Sequence, residues 1–126
     1  MGADGSGHGR LFGRSILVVE DEYFIADHLM RQVEQCGANV IGPVATLDEA
    51  RSLAWANPHL DGAVLDINLR GTWVFPLADE LAERGVRFIF ATGYDARMIP
   101  ARFAHVGRCE KCADAAEITA APFAES

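Results

Sequence analysis

The stretch GAVLDIN at residues 62–68 carries an apolar run that ends on a carboxylate, Asp66. Ala63, Val64 and Leu65 are typical of a buried β-strand. A charge at the end of a buried strand costs free energy unless neighbouring groups hold it. One explanation is a strand that leaves the core at an acidic turn. The other is that the fold places Asp66 in a polar site, and the remainder of the chain decides between them.

The apolar pattern along the chain predicts strands that alternate with helices. Strands are predicted in SILVVE, NVIGPVA, GAVLD, VRFIFATG and VGRCE, at residues 15–20, 39–45, 62–66, 86–93 and 106–110. Helices are predicted at 22–37, at 46–56 behind a capping box of Thr46 and Glu49, at 72–85 and at 114–121. The helix between the last two strands is expected to be short or irregular. This order predicts an α/β fold with a doubly wound, five-stranded parallel sheet.

Length and charge narrow the possible classes of protein. The 126 residues suit one domain, which we place at 15–121, between a flexible Gly-rich tail at 1–14 and a C-terminal tail at 122–126. A net charge of −7 without a basic patch argues against nucleic-acid binding. No apolar run approaches the ~20 residues that span a bilayer. Three cysteines without a signal peptide predict a cytoplasmic protein.

Polar side chains follow four of the predicted strands. Glu20 and Asp21 follow the first, Asp66 the third, Thr92 the fourth and Lys111 the fifth. In a doubly wound sheet the carboxyl ends of the strands form the ligand site. Three adjacent carboxylates raise one another's pKa, and Mg²⁺ or Mn²⁺ relieves the repulsion. Lys111 and Thr92 can bind phosphate oxygens. The combination of residues therefore predicts that Asp66 acts as a nucleophile toward phosphorus.

The motifs ILVVEDE, AVLDINLRG, FATG and the lysine of CEKC resemble, in order and spacing, the receiver domains of two-component response regulators. The resemblance spans nearly all of residues 15–121 and implies a flavodoxin-like sheet with strand order 2-1-3-4-5. It implies that Asp66 is the phosphoacceptor, that Thr92 hydrogen-bonds the phosphoryl group and that Lys111 pairs with it. The implied metal ligands are Asp66, Asp21 directly, Glu20 through a bound water and the backbone carbonyl of Asn68.

RFIFATGYD resembles more narrowly the FAT GUY subgroup of stand-alone receivers, described in alphaproteobacterial stress signalling. The subgroup usually has Pro where this chain has Arg87. The resemblance implies phosphorylation by a histidine kinase, often of the HWE type, or by a histidine phosphotransfer protein. It implies output through a downstream protein partner, or a role as a phosphate relay or sink. On this reading the chain is not an enzyme beyond self-phosphorylation and self-dephosphorylation.

Two departures from the family pattern lie near the site. Most receivers carry an aromatic switch residue where this chain has Arg108, so Tyr94 is either a substitute or an exposed loop aromatic, and Phe90 is the third switch candidate. Most receivers also have Pro, in a cis bond, where this chain has Cys112. Because a non-proline cis bond costs ~3 kcal/mol, we expect a trans bond after Lys111.

Some alternatives stay open at this point. Cys109 and Cys112 form a C-x-x-C pattern, which fits a redox pair, half a zinc site or, as we prefer, chance. The chain also fits a receiver-like interaction module that is never phosphorylated. An aspartate-nucleophile phosphatase of the haloacid-dehalogenase type fits less well, because Asn68 stands where that class has a second Asp. Trp55 and Trp73 are expected to pack within helices.

Overall fold

The structure, a computed structural model, describes residues 10–111 and 113–124, and of Tyr94 it describes the backbone alone. Five parallel strands form the main sheet: β1 (Ser15–Val19), β2 (Asn39–Val44), β3 (Gly62–Asp66), β6 (Arg87–Thr92) and β7 (Arg108–Glu110). Their order is β2-β1-β3-β6-β7. Counted within this sheet alone, that is the predicted order 2-1-3-4-5, and the α/β prediction is confirmed.

The helices begin and end largely where capping residues predict. They are α1 (Tyr23–Gln35), α2 (Leu47–Ala56), α3 (Phe75–Glu83) and α4 (Ala115–Thr119). The Thr46 hydroxyl accepts the Glu49 N–H at 3.2 Å at the start of α2. Gly37 follows α1 with φ +98°, a conformation that favours glycine. Between β6 and β7 lie two 3₁₀ turns, Tyr94–Met98 and Ala101–Phe103, so the short, irregular segment expected there is confirmed.

Both faces of the sheet are buried, as a parallel sheet requires. Alternate residues of β1 point to opposite faces, with Leu17 in the layer beneath α2 and α3 and Val18 in the layer beneath α1 and α4. The first layer contains an aromatic cluster in which Phe103 lies 5.7 Å from Phe90 and 5.9 Å from Phe75, centroid to centroid. This cluster ties the second 3₁₀ turn to the core. No helix among the described residues has the length and hydropathy needed to cross a membrane.

The predicted third helix begins three residues too early. Thr72–Trp73 forms a short strand, β5, that pairs antiparallel with β4 (Asn68–Leu69). Arg70 and Gly71 make the turn between them with φ values of 56° and 91°. Two consecutive residues with positive φ are the geometry of a tight hairpin. The chain after Asp66 therefore forms a hairpin before α3 begins.

Both tryptophans were expected to pack within helices, and neither does. Trp73 lies in β5, remains 37% exposed and stacks on Phe75 with ring centroids 5.9 Å apart. Trp55 lies in α2 as predicted but is 85% exposed. The capping box predicted the helix but not its buried face, which is formed by Ala50 and Ala54, and Trp55 lies off that face.

The packed region extends beyond the predicted boundaries at both ends. Leu11 is fully buried, and its N–H donates to the Cys36 carbonyl at 2.8 Å. At the other end Phe123 is buried against Gly62, where an added Cβ would lie 2.5 Å from the phenyl ring. Residues assigned to both tails thus belong to the core, because one apolar side chain in each finds a fitting surface.

Candidate receiver site

Three carboxylates meet at the carboxyl ends of β1 and β3. Glu20 and Asp21 follow β1, and Asp66 is the last residue of β3. An oxygen from each lies within 4.8 Å of the others. Glu20 is only 2% exposed and Asp66 is fully buried. The parallel pairing of β1 with β3 brings these acids together, as the sequence predicted.

Lys111, just after β7, supplies the positive charge of the cluster. Its Nζ lies 3.2 Å from Asp66 Oδ1 and 3.7 Å from Glu20 Oε2. The Asn68 N–H donates to the same Asp66 oxygen at 3.3 Å. Thr92 is buried at the end of β6, one residue beyond the register partner of Asp66. The structure therefore brings together Lys111 and the three acids, with Thr92 at the same sheet edge.

Burial and crowding change the acidity of these groups. Burial, followed by the nearby Asp66 charge, raises the pKa of Glu20 to about 8, although the Glu22 N–H and Lys111 oppose the change. Burial, and after it the neighbouring Asp21 carboxyl, raises the pKa of Asp66 to about 6 against the pull of Lys111. Burial opposes a higher pKa of Lys111, but the carboxylates of Asp66 and Glu20 outweigh it and raise it. The site is thus short of positive charge.

Two buried oxygens of this cluster lack a hydrogen-bond donor. They are Glu20 Oε1 and Asp66 Oδ2. Buried acceptors without partners cost free energy, and three converging carboxylates are the oxygen donors that a hard divalent cation prefers. The residues present therefore fit Mg²⁺ or Mn²⁺.

Comparison with known proteins identifies the family. No protein-family model and no curated protein matches the chain. Among solved structures, SdrG from Sphingomonas melonis Fr1 is 34% identical with a TM-score of 0.74, over 86% of this chain and 92% of that one. The chain belongs to the response regulator receiver family. The BeF3-activated conformation of SdrG from Pseudomonas melonis Fr1 matches this receiver at 33% identity and TM-score 0.70, over 84% and 90% of the two chains.

A longer response regulator also matches this receiver. PhyR from Brucella abortus is 25% identical with a TM-score of 0.71, over 84% of this chain and 44% of PhyR. The matches to SdrG and PhyR place the receiver in two-component signalling. They support protein partners as the way in which its signal is passed on.

The switch candidates of the receiver occupy different surroundings. Phe90 is fully buried among Phe75, Phe88 and Phe103, the surroundings of a core residue. Arg108 is exposed, and it pairs in register with Phe90. The side chain of Tyr94 lies outside the described part of the chain. The role of each as a switch stays a prediction.

Of the two cysteines in the C-x-x-C pattern of the receiver, the structure describes Cys109. Cys109 is buried in β7, and burial, followed by the charges of Glu117 and Glu110, raises the pKa of its thiol to about 12. A buried, protonated thiol is a poor nucleophile, which favours the chance reading. Cys112, and with it the peptide bond after Lys111, lies outside the described residues.

Two residues near the receiver site were given no role by the sequence. Arg70 and Asp95 line a cavity of about 290 Å³ together with Asp21, Asn68 and Lys111, which we call the site cavity. Arg70 Nε lies 3.9 Å from Asp21 Oδ2, and Asp95 Oδ1 is buried without a hydrogen-bond partner. Neither residue was identified from the sequence, because the position of Arg70 depends on the hairpin and that of Asp95 on the 3₁₀ turn. The side chain of Asn68 serves the same hairpin, since its Oδ1 accepts the Gly71 N–H at 2.7 Å.

Proposed function

We propose that this receiver accepts a phosphoryl group on Asp66 from a phosphohistidine, supplied by a histidine kinase or a histidine phosphotransfer protein. The observation that carries the proposal is a fully buried carboxylate with Lys111 at 3.2 Å and two further acids within 4.8 Å. A related protein, SdrG, has a BeF3-activated conformation, which supports the same chemistry here.

The surroundings of Asp66 prepare it as a nucleophile. Lys111 and the Asn68 N–H hold Oδ1, which orients the carboxylate and favours its ionised form. Asp66 Oδ2 has no hydrogen bond to give up before it reacts. In the transfer an oxygen–phosphorus bond forms on Asp66 while the phosphorus–nitrogen bond of the phosphohistidine breaks, and the imidazole leaves.

The remaining residues of the site would balance the negative charge of the phosphoryl group, either through a metal ion or directly. Glu20, Asp21 and Asp66 would hold a Mg²⁺ or Mn²⁺ ion, which neutralises charge on the phosphoryl oxygens when bound. Asp21 and Asp66 would bind the ion directly and Glu20 through a bound water, and the backbone carbonyl of Asn68 would be a further ligand. Lys111 then pairs with the phosphoryl group and the Thr92 hydroxyl donates to it.

The phosphorylated receiver passes its state to another protein. We propose a downstream protein partner, or transfer of the group along a relay or into a sink, in the cytoplasm where histidine kinases act. The receiver is then a phosphoacceptor and not an enzyme with a substrate of its own.

Mass spectrometry after incubation with acetyl phosphate and Mg²⁺ tests the proposal. The parent should gain one phosphoryl group, and Asp66→Asn should gain none while keeping its far-UV circular dichroism spectrum. Asp48→Asn, which removes an exposed carboxylate on α2, should react as the parent does. Labelling that persists on Asp66→Asn would overturn the assignment. A parent that is never labelled would favour an unphosphorylated interaction module.

A further inference from the structure

We propose that Arg70 is a second cation that binds the phosphoryl group, and that it pairs with Asp21 before Asp66 is phosphorylated. The inference rests on the proposed function of Asp66. It assigns a role to Arg70, in the turn between β4 and β5, to which the family resemblance gave no function.

The hairpin places Arg70 beside the site. Asp66 ends β3, β4 starts two residues later, and the turn brings the Arg70 side chain back to the site cavity. Lys111, which follows β7, lines the same cavity. A phosphoryl group that projects from Asp66 thus has a cation available from two separate segments of the chain.

The present contacts of Arg70 are loose. Its Nη2 donates to the Asp21 carbonyl at 3.4 Å, its Nε lies 3.9 Å from Asp21 Oδ2, and its side chain is 70% exposed. An exposed ion pair at such distances is worth about 0–1 kcal/mol. Arg70 therefore gives up little when it leaves Asp21.

The charges of the cavity favour that move. Asp21 and Asp95 line the cavity with Lys111, and Lys111 is the one cation in contact with Asp66 among the described residues. Phosphorylation adds negative charge at Asp66, whereas an Asp21 carboxylate engaged by a divalent cation attracts Arg70 less. A guanidinium fork matches phosphate oxygens and can donate two hydrogen bonds at once.

The backbone supplies an independent observation. Arg70 is the one non-glycine residue with positive φ among the described residues, at 56°. Asn or Gly is the usual residue at such a position, and a long side chain there costs roughly 1 kcal/mol. The inference gives that strain a function, since the left-handed turn aims the guanidinium at the site.

Binding of BeF3⁻, at saturating Mg²⁺, separates this role from a structural one. Arg70→Asn removes the cation but keeps a residue that tolerates the left-handed turn. BeF3⁻ affinity, measured by fluorine NMR, should fall about tenfold, as expected from the loss of a charge-assisted hydrogen bond. Mg²⁺ affinity without BeF3⁻, measured by calorimetry, should stay the same or rise, because a competing cation beside Asp21 is gone. Arg70→Lys should lie between parent and Arg70→Asn.

A matched control removes one arginine elsewhere. Arg31 pairs with Asp27 on the surface of α1, and Arg31→Gln should bind both Mg²⁺ and BeF3⁻ as the parent does. Equal BeF3⁻ affinity in Arg70→Asn and parent would overturn the inference while phosphorylation of Asp66 stands. An equal loss of Mg²⁺ and BeF3⁻ binding would show that Arg70 only shapes the turn. A parent that binds no BeF3⁻ would remove the proposed function and this inference together.

Discussion

Glu20→Gln tests whether burial holds the Glu20 carboxyl in its protonated form when no metal is bound. Its pKa rises from an ordinary value of 4.5 to about 8 in the folded chain. Between these values the folded state binds more protons than the unfolded state, so the free energy of unfolding falls as the pH rises. Between about pH 5 and about pH 8, one such carboxyl lowers the free energy of unfolding by on the order of 3 kcal/mol. Because Gln has no proton to lose, the variant should not show this decrease, and its stability relative to the parent should rise by that amount over the same pH range.

Urea unfolding in EDTA across this pH range measures the difference. The parent should lose stability toward high pH more steeply than Glu20→Gln, and Mg²⁺ should restore stability to the parent far more than to the variant, since it stabilises the folded state by mass action. Glu34→Gln, which removes an exposed carboxylate on α1, should follow the parent at every pH. Parallel pH profiles for parent and Glu20→Gln would refute the reasoning.

Three further outcomes are expected. Gly62→Ala should cost about 2 kcal/mol, because its Cβ would lie 2.5 Å from the Phe123 ring and displace that buried side chain; in urea titrations the cost should shrink in a Phe123→Ala background. Thr46→Ala should cost about 1 kcal/mol by the same assay, since a main-chain N–H at the start of α2 loses its acceptor. A mild oxidant should leave the phosphorylation rate unchanged because the Cys109 thiol is buried. A large slowing that vanishes in Cys112→Ser would show redox control instead.

The cluster of acids was predictable because its geometry follows from topology. Glu20 and Asp66 each stand directly after an apolar run, Lys111 follows the short strand β7, and parallel strands deliver their carboxyl ends to one edge. The spacing of the motifs along the chain then indicates the protein family. Their proximity needed no knowledge of side-chain packing.

The hairpin was not predictable in the same way. Thr72 and Trp73 form a strand of only two residues, too short for an alternating pattern to show. Its existence depends on the positive φ values of Arg70 and Gly71, and an arginine gives no sign of such a conformation. Arg70 therefore entered the site only through the structure.

The burial of Leu11 and Phe123 could not be predicted for another reason. A Gly-rich composition describes residues 1–14 on average, but Leu11 is buried in the same apolar cluster as Leu29 and Val33 of α1. Phe123 likewise depends on the missing side chain at Gly62. Such fits are properties of pairs of surfaces, and no window of sequence contains both members.

The stacked ring of Trp73 makes the hairpin an optical reporter. Indole emission responds to the polarity and contacts of the ring, and Trp73 is partly exposed on the strand that returns from the Arg70 turn. The chain has only one other tryptophan, Trp55, and its exposed position on α2 lets Trp55→Phe leave a single emitter at little cost in packing. Stopped-flow fluorescence of that variant would follow events beside Asp66 in real time, without a chemical label.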